Sequence, residues 1–363
     1  MTSPPEVTEP GRAVIYGTGL IGGSVGFALR QAGWYVSGTD QEPGAAFRAL
    51  ERGAIDEVGD DPTATLVVLC TPAQSVAVLA RKILAERSGQ QDLLVTDVAG
   101  IKASICRQID DDRFIGGHPM AGSEQIGIDG ARGDLFLGAT WVLTPGANTA
   151  PKRYARLLTI VRQLGSQAIA LSPEDHDRMV ALVSHVPHLV AASLMNGAAE
   201  ASEGDAALLQ LAAGGFRDMT RVAAGDPGIW PDVCIQNSEA ILEGLDDLGT
   251  RIDQIRQAIA SSDRDSIHAV LSRASASRRA LPGQVLNPDH LAQVRIPVPD
   301  QAGVLAAVTG TASDLGVSVV DVEIAHSVEG DRGVLIMVVS VDDAERYATE
   351  LRSQSFVCTV QEL

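Results

Sequence analysis

The stretch Gly17-Thr18-Gly19-Leu20-Ile21-Gly22 follows a short apolar run, Ala13-Val14-Ile15-Tyr16, and opens a helical pattern that continues to about Ala32. The three glycines fill the G-x-G-x-x-G template between a strand and a helix. The first permits a tight turn, the second lets the backbone approach a pyrophosphate, and the third lets the helix pack on the strand. The helix N-terminus then faces the phosphates. The stretch predicts a dinucleotide site formed by Gly17, Thr18, Gly19, Leu20, Ile21 and Gly22.

The next strands predict which dinucleotide binds. Asp40 follows a second predicted strand, Trp34–Gly38, and lies 23 residues after Gly17. A carboxylate at this position accepts hydrogen bonds from the ribose hydroxyls and repels a 2′-phosphate, so NAD is favoured over NADP. The alternative is a carboxylate that only caps a helix or loop. We expect Thr71 and Pro72, which follow the apolar strand Leu66–Cys70, at the nicotinamide end of the site.

A single histidine lies at the end of a later strand of this domain. Further αβ units follow in regular order, and Phe114-Ile115-Gly116 leads to His118 within a run of glycine, proline and small residues. Ligands of parallel α/β sheets bind at the carboxyl ends of the strands. A histidine there can act as a base near neutral pH, whereas an isolated His-Pro is more often an incidental part of a tight turn.

The middle of the chain predicts only helices. Ser172-Pro173-Glu174-Asp175 is a strong helix start, and Ser184-His185-Val186-Pro187-His188 interrupts the helix that follows. The two histidines could cap carbonyls at a proline kink, or suggest a metal pair for which no third ligand is evident. Gly214–Arg221 concentrates polar residues, although one arginine beside a glycine pair is usually a surface salt bridge. The apolar positions of the helix Ser238–Ala260 predict a core or dimer seam.

The end of the chain predicts a different fold. Strand and helix patterns follow one another as βαββαβ, the ferredoxin-like order. The predicted architecture is therefore an α/β Rossmann-type dinucleotide-binding domain (12–172), an all-α substrate and dimerisation domain (173–285) and an α+β ferredoxin-like domain (290–363). A Pro/Glu-rich lead (1–11) precedes them and reads as disordered and not as a signal peptide.

Composition limits the class of protein. The 363 residues, 45% apolar and 20% charged, suit a globular chain of two or three domains. A net charge of -18 argues against nucleic acid or an anionic membrane as partner. The four cysteines are widely spaced and form no CxxC pair, which predicts reduced thiols in a cytoplasmic protein. We find no metal-ligand pattern and no apolar run near the length of a membrane span.

Four motifs together resemble the prephenate/arogenate dehydrogenase family of tyrosine biosynthesis, in which a C-terminal ACT domain can follow. The resemblance covers residues 12 to 281 for the dehydrogenase and 292 to 360 for the ACT domain. The ligand loop of ACT domains resembles the stretch that contains Asp300, Gly303, Val304 and Leu305. The motifs are Gly17–Ser24, Gly117–Gly122, Ser184–His188, and Gly215–Arg221 with Trp230.

The resemblance implies NAD-dependent oxidative decarboxylation of prephenate to 4-hydroxyphenylpyruvate. His118 would accept the proton of the ring hydroxyl while hydride leaves the same carbon. Arg221 would bind a substrate carboxylate, a role suited to its two-pronged donor. It also implies a homodimer formed by the helical domain and an amino-acid effector, with tyrosine the candidate, at the ACT domain. The other implied substrate-site residues are His188, Ser123, Glu124, Asp218 and Trp230.

One position departs from the family pattern. The family often has a serine near the catalytic histidine where this sequence has Gly100, in Asp97-Val98-Ala99-Gly100-Ile101-Lys102. The loss of that hydroxyl could permit a ring-modified substrate such as 4-amino-4-deoxyprephenate. Arogenate is the nearest other substrate. Two further alternatives are an amino-acid-sensing binding protein that has lost catalysis, and a different NAD enzyme of similar layout, such as a 3-hydroxyacyl or 6-phosphogluconate dehydrogenase.

Overall fold

The computed structural model describes residues 11–122, 125–202, 211–225, 227–280, 291–299, 301, 303–326 and 332–362, without the side chains of 323–326 and 332. Residues up to Gly249 form one compact unit and those from Thr250 a second. The division falls inside a helix, and the two predicted domains 12–172 and 173–285 share the first unit as far as Gly249. Except for Gly11, the predicted lead at 1–11 lies outside the described residues.

The first unit begins with an eight-stranded sheet in the order β3-β2-β1-β4-β5-β6-β7-β8. Strands β1 to β6 run parallel to one another, as the αβ pattern predicts. The strands are β1 (Arg12–Tyr16), β2 (Tyr35–Thr39), β3 (Glu57–Val58), β4 (Leu66–Leu69), β5 (Leu94–Asp97), β6 (Phe114–Pro119), β7 (Thr140–Thr144) and β8 (Gln167–Ala170). The helices between them are α1 (Leu20–Gln31), α2 (Ala45–Glu51), α3 (Ala73–Glu86), α4 (Ala103–Cys106) and α5 (Pro151–Gln163).

Apolar side chains cover both faces of this sheet. Successive residues of β1 point to opposite sides, so Ala13 and Ile15 belong to one buried cluster and Val14 to another. The first cluster includes α1 and α5, and the second includes α3. Burial on both faces is typical of parallel sheets and explains the continuous apolar runs of the strands.

The sequence prediction was wrong about the direction of one strand. β7 is antiparallel to β6, with His118 opposite Val142, whereas regular parallel units were expected. A parallel connection needs a crossover, usually a helix. The described residues between these strands contain only a short 3₁₀ turn, Ile128–Gly130, so the chain returns in the opposite direction.

Helices dominate from residue 173 onward, as predicted. They are α6 (Pro173–Val180), α7 (Val186–Ser202), α8 (Gly214–Thr220), α9 (Trp230–Gln236), α10 (Ser238–Ala260) and α11 (Arg264–Arg279). The Ser172 hydroxyl accepts a hydrogen bond from the Asp175 N–H, the predicted cap. A π-helical turn, Ala181–His185, joins α6 to α7 just before Pro187. It overlaps the predicted interruption Ser184–His188, and π turns and prolines are both known causes of irregularity in helices.

One helical stretch of the described residues, Pro173–Ser202, is long and apolar enough to cross a membrane by length and composition alone. The sequence analysis had found no such run. This is weak evidence of a membrane span, because core helices pass the same test. His176, Asp177 and His185 of this stretch are buried inside the protein.

The C-terminal elements form a four-stranded antiparallel sheet in the order β10-β11-β9-β12. The chain order is β9 (Leu291–Pro299), α12 (Val304–Leu315), β10 (Val319–His326), β11 (Arg332–Ser340), α13 (Val341–Ser353) and β12 (Thr359–Glu362). This is the βαββαβ topology that the sequence predicted. The alternating burial of β9 places Val294, Ile296 and Val298 in the core of this domain.

Candidate active site

The glycine-rich turn between β1 and α1 is shaped by close backbone contacts. Gly17 has φ +93, and a Cβ on it would overlap the carbonyl of Cys70. A Cβ on Gly22 would overlap the carbonyl of Gly17, so α1 can pack this closely only with glycine there. Gly19 differs, because a Cβ on it would meet nothing within 4 Å. The space above Gly19, at the start of α1, is open to a ligand that approaches the backbone.

Asp40 is held beside this turn. One oxygen of its carboxylate accepts hydrogen bonds from the Thr18 N–H (2.6 Å) and the Thr18 hydroxyl (3.1 Å). Its other oxygen accepts from the Glu42 N–H at 2.9 Å. A carboxylate offers about four acceptor sites, so the oxygen bonded to Glu42 can accept a further hydrogen bond. Asp40 is therefore fixed at the end of β2, where it can still receive a ribose hydroxyl.

Thr71 and Pro72 lie between β4 and α3, on the same edge of the sheet as the glycine turn. The Thr71 hydroxyl is buried and has no hydrogen-bond partner among the described residues. Buried hydroxyls are normally satisfied, and an unsatisfied one often marks a missing ligand. The open face of Gly19, the Asp40 carboxylate and the Thr71 hydroxyl together fit a dinucleotide.

His118 is the half-buried histidine of β6. Its Nδ1 lies 2.8 Å from Nε2 of His176, and His176 Nδ1 lies 2.7 Å from an oxygen of Asp177. Burial lowers the pKa of His118, and Coulombic interactions with His176, Lys102 and His185 lower it further. A neutral imidazole near neutral pH can accept a proton.

His176 and Asp177 were missed by the sequence analysis. The available signal was the adjacent His-Asp pair in the first turns of a helix that begins at Pro173, which had been noted only for its acidic start. Spatial proximity to His118 cannot be read from a separation of 58 residues. The two residues therefore belong to the site through tertiary structure alone.

Gly100 faces the other nitrogen of His118. A Cβ on Gly100 would lie 3.7 Å from His118 Nε2, which is an ordinary van der Waals contact. The position of the family serine is therefore open space next to the base. A substrate atom or a water molecule can approach Nε2 from this side.

A cavity of about 700 Å³ lies between the glycine turn and the helical residues of the first unit. Its lining includes Leu20, Ile21, Gly122, His188, Arg221 and Trp230. The rings of His188 and Trp230 are stacked, with centroids 3.6 Å apart and planes at 13°. Burial lowers the pKa of His188. Three of the residues expected on the substrate side, His188, Arg221 and Trp230, therefore share one cavity with two residues of the dinucleotide motif.

Other expected residues are not among those that line this cavity. His118 and Gly100 lie outside its lining, and Asp218 is an exposed residue of α8, one turn before Arg221. Ser123, Glu124 and, in the C-terminal domain, Asp300 lie outside the described residues. Gly303 caps α12 with φ +92, Val304 is half-buried, and Leu305 is exposed.

A second cavity, of about 750 Å³, lies along α10 and α11. Ile255, Ile259 and Leu271 contribute exposed apolar surface to it. It contains no histidine and no glycine-rich turn. Within the part of the chain that the structure describes, no group of three or more His, Cys, Asp or Glu residues is arranged to hold a metal ion.

Comparisons with known proteins agree with this geometry. Residues 25–170 match the family model of the prephenate dehydrogenase nucleotide-binding domain, and residues 172–273 match that of the prephenate dehydrogenase dimerization domain. The chain is 30% identical over 353 residues to the prephenate dehydrogenase of Bacillus subtilis. The matched region covers 93% of this chain and 94% of that protein.

Two solved structures are similar to this chain over about three quarters of its length. The arogenate dehydrogenase of Synechocystis is 35% identical, with a TM-score of 0.65, over 74% of this chain and 98% of that one. The prephenate dehydrogenase of A. aeolicus, solved in complex with hydroxyphenyl propionate and NAD⁺, is 27% identical. Its TM-score is 0.70, over 75% of this chain and 99% of that one. This chain belongs to the prephenate dehydrogenase family.

Proposed function

We propose that this protein is an NAD-dependent prephenate dehydrogenase that forms 4-hydroxyphenylpyruvate by oxidative decarboxylation. The observation that carries the proposal is the position of His118. This neutral imidazole lies at the carboxyl end of a strand of the nucleotide-binding sheet, with open space beside its Nε2. Family membership supplies the substrate class, since the matched relative from Bacillus subtilis is named for prephenate.

The residues of the glycine turn would hold the dinucleotide. The N-terminus of α1 would face the pyrophosphate, the Asp40 carboxylate would accept ribose hydroxyls, and the Thr71 hydroxyl would gain a partner. Leu20 and Ile21 would contact it from the cavity wall. When bound, NAD supplies the hydride acceptor. We assign NAD and not NADP because the Asp40 carboxylate would repel a 2′-phosphate.

His118 would act as the general base. Its Nε2 would accept the proton of the ring hydroxyl as the carbinol carbon is oxidised, so that no alkoxide charge accumulates. Loss of the ring carboxylate as CO₂ then gives an aromatic ring, which makes the reaction irreversible. The low pKa of His118 keeps the base unprotonated at neutral pH.

Arg221 and His188 would orient the substrate. The Arg221 guanidinium can pair with a carboxylate through two parallel hydrogen bonds. His188 is fixed by its stack on Trp230, so both rings present a rigid wall to the cavity. We assign Ser123, Glu124 and Asp218 to the surroundings of the substrate by the family pattern alone.

Arogenate is the second candidate substrate. The 35% identity to the Synechocystis arogenate dehydrogenase favours it, and the two substrates differ only in a keto or an amino group on the side chain. The open space at Gly100 also leaves room for a ring-modified substrate such as 4-amino-4-deoxyprephenate. The amino-acid-sensing role without catalysis is the remaining alternative.

The assembly, regulation and location are also part of this proposal. A homodimer would bury the exposed Ile252, Ile259 and Leu271 of α10 and α11, and the matched dimerization-domain model supports it. The C-terminal domain would act as an ACT domain that binds tyrosine at Asp300, Gly303, Val304 and Leu305. The ferredoxin-like topology and the left-handed Gly303 support this assignment. The free cysteines suit the reducing cytoplasm.

The test is steady-state nicotinamide reduction by the purified protein. Prephenate, arogenate and 4-amino-4-deoxyprephenate are each offered with NAD and with NADP, in the presence and absence of tyrosine. We expect turnover of prephenate with NAD, and little with NADP. If the protein binds NAD but reduces it with none of the three substrates, the proposed activity is wrong.

A further inference from the structure

Three side chains form a hydrogen-bonded row behind the base. His118 Nδ1 lies 2.8 Å from His176 Nε2, and His176 Nδ1 lies 2.7 Å from Asp177 Oδ1. His176 is fully buried and Asp177 is 5% exposed. The row therefore ends in a carboxylate that is shielded from water, and its other end is the Nε2 atom that faces the space at Gly100.

Asp177 is held firmly by the backbone of another segment. Its Oδ1 accepts a hydrogen bond from the Lys102 N–H at 2.7 Å, and its Oδ2 accepts from the Ala103 N–H at 2.8 Å. Asn237 donates to the carbonyl of Asp177 at 2.9 Å. Both carboxylate oxygens thus already accept from N–H donors. Asp177 therefore acts only as an acceptor.

The directions of the other hydrogen bonds follow from that acceptor. His176 Nδ1 must donate to Asp177, so in neutral His176 the lone pair is on Nε2. That lone pair accepts from His118 Nδ1–H. Neutral His118 then has its own lone pair on Nε2, the atom that faces the open space. Without a partner at Nδ1, nothing would hold His118 in this tautomer.

We infer that Asp177 and His176 are positioning residues that fix the ring and the tautomer of His118, so that its Nε2 is the atom that takes the substrate proton. The inference rests on the proposed function for its chemical consequence, and on the three side chains for its geometry. When His118 gains a proton at Nε2, its Nδ1–H remains bound to His176, and the Asp177 carboxylate lies behind the new positive charge.

Other charged or titratable groups lie near the row of His118, His176 and Asp177 but form their hydrogen bonds elsewhere. Lys102 forms a fully buried ion pair with Asp97, whose carboxylate also accepts from the Gly117 N–H at 3.1 Å. His185 Nδ1 lies 3.2 Å from Nδ2 of Asn237. Among the described residues, the Asp97 carboxylate accepts hydrogen bonds from Lys102, Ala99 and Gly117, and not from His118. Among the described residues, His176 is the side chain that hydrogen-bonds His118 Nδ1, so it determines whether that nitrogen carries the proton.

Two substitutions of His176 separate positioning from packing. In His176→Gln the amide oxygen can take the place of Nε2 and accept from His118 Nδ1–H. In His176→Leu no acceptor remains. We expect His176→Leu to lower kcat about 100-fold with KM for prephenate changed less than about twofold, and His176→Gln to stay within about fivefold of the wild type. Thermal unfolding and NAD affinity of both variants report on folding.

The second readout does not depend on turnover. Side-chain ¹⁵N NMR of the histidine-labelled protein with NAD bound, at a pH above neutrality, shows which ring nitrogen carries the proton. His118→Asn assigns the signals. We expect Nδ1 of His118 to be protonated and Nε2 to be bare, and we expect His176→Leu to lose this preference.

Two results would overturn the inference. One is a proton on Nε2 of His118 in the wild type. The other is an equal loss of kcat in folded His176→Gln and His176→Leu, which would mean that His176 acts only by packing. If the wild type turns over neither prephenate nor arogenate, the proposed function fails, and the nitrogen signals still decide whether the row sets the tautomer.

Discussion

The cofactor side and the substrate side of the site are built in different ways. On the proposed cofactor side, Gly17, Gly19 and Gly22 would act through the backbone: the turn needs Gly17 and Gly22 to lack a Cβ, and Gly19 leaves its outer face open. On the proposed substrate side, His118, His188 and Arg221 would act through side chains that come from three distant segments of the sequence. Substitutions on the cofactor side are therefore expected to lower stability or NAD affinity, and substitutions on the substrate side to lower kcat or kcat/KM.

The base should give the largest effect. We expect His118→Asn to lower kcat about 10³-fold, because general-base catalysis supplies a factor of this order. NAD affinity should stay within about twofold, since His118 belongs to the chemical half of the site. Steady-state kinetics and titration of NAD binding measure the two effects. A fall in kcat smaller than about tenfold would contradict the role of His118.

The substrate anchor should give the next effect. Arg221→Ala should lower kcat/KM for prephenate about 100-fold, mainly through KM, because a two-pronged pair with a carboxylate is lost. Arg221→Lys is the matched control: it retains the charge without the fork and should recover part of the loss. Unchanged KM values in both variants would remove Arg221 from the binding site.

Two glycine substitutions should separate the effect of this turn on NAD binding from its effect on stability. Gly19→Ala should fold normally, with Tm changed by less than about 2 °C, because its Cβ meets nothing within 4 Å. It should weaken NAD binding about tenfold by occupying the phosphate side of the turn. Gly22→Ala should instead lose about 2–3 kcal/mol of stability, because its Cβ would overlap the Gly17 carbonyl.

Thermal unfolding and NAD titration of both proteins check this division. Gly19→Ala with wild-type affinity would mean that the open face of Gly19 does not contact the dinucleotide. Gly22→Ala with wild-type Tm would mean that α1 does not depend on close packing at that turn.

The pH dependence should give the smallest effect. Burial, with Coulombic interactions from His176, Lys102 and His185, lowers the pKa of His118 below its ordinary value of 6.5. Only neutral His118 can accept a proton, so kcat/KM should stay flat from about pH 8 to about pH 6.5 and fall at lower pH. A profile of kcat/KM between these values and pH 5 measures this. A midpoint above about pH 7 would show that His118 is solvated or paired with an anion.

The cofactor side could be predicted from sequence because its information is local. Gly17, Gly19, Gly22 and Asp40 follow one another within a single βαβ unit, and their spacing alone implies the turn and the carboxylate. The C-terminal topology was predicted for a similar reason, since the alternation of β9 and the helical periodicities identify each element in turn.

The row of His118, His176 and Asp177 could not be predicted, because nothing in the local sequence relates residues 118 and 176. The antiparallel direction of β7 was missed because strand patterns contain no information on direction. The π turn Ala181–His185 was predicted only as an interruption of the helix near Pro187. A proline in the sequence indicates that the helix is irregular there, but not which irregularity forms.

The measurement that tests the central claim most directly is the stoichiometry of one reaction. Purified protein is incubated with prephenate and NAD, and NADH, CO₂ and the organic product are quantified in the same sample, with His118→Asn as the blank. We predict equal amounts of NADH, CO₂ and 4-hydroxyphenylpyruvate. Loss of prephenate without matching NADH, or equal product from the blank, would contradict an NAD-dependent oxidation that uses His118 as its base.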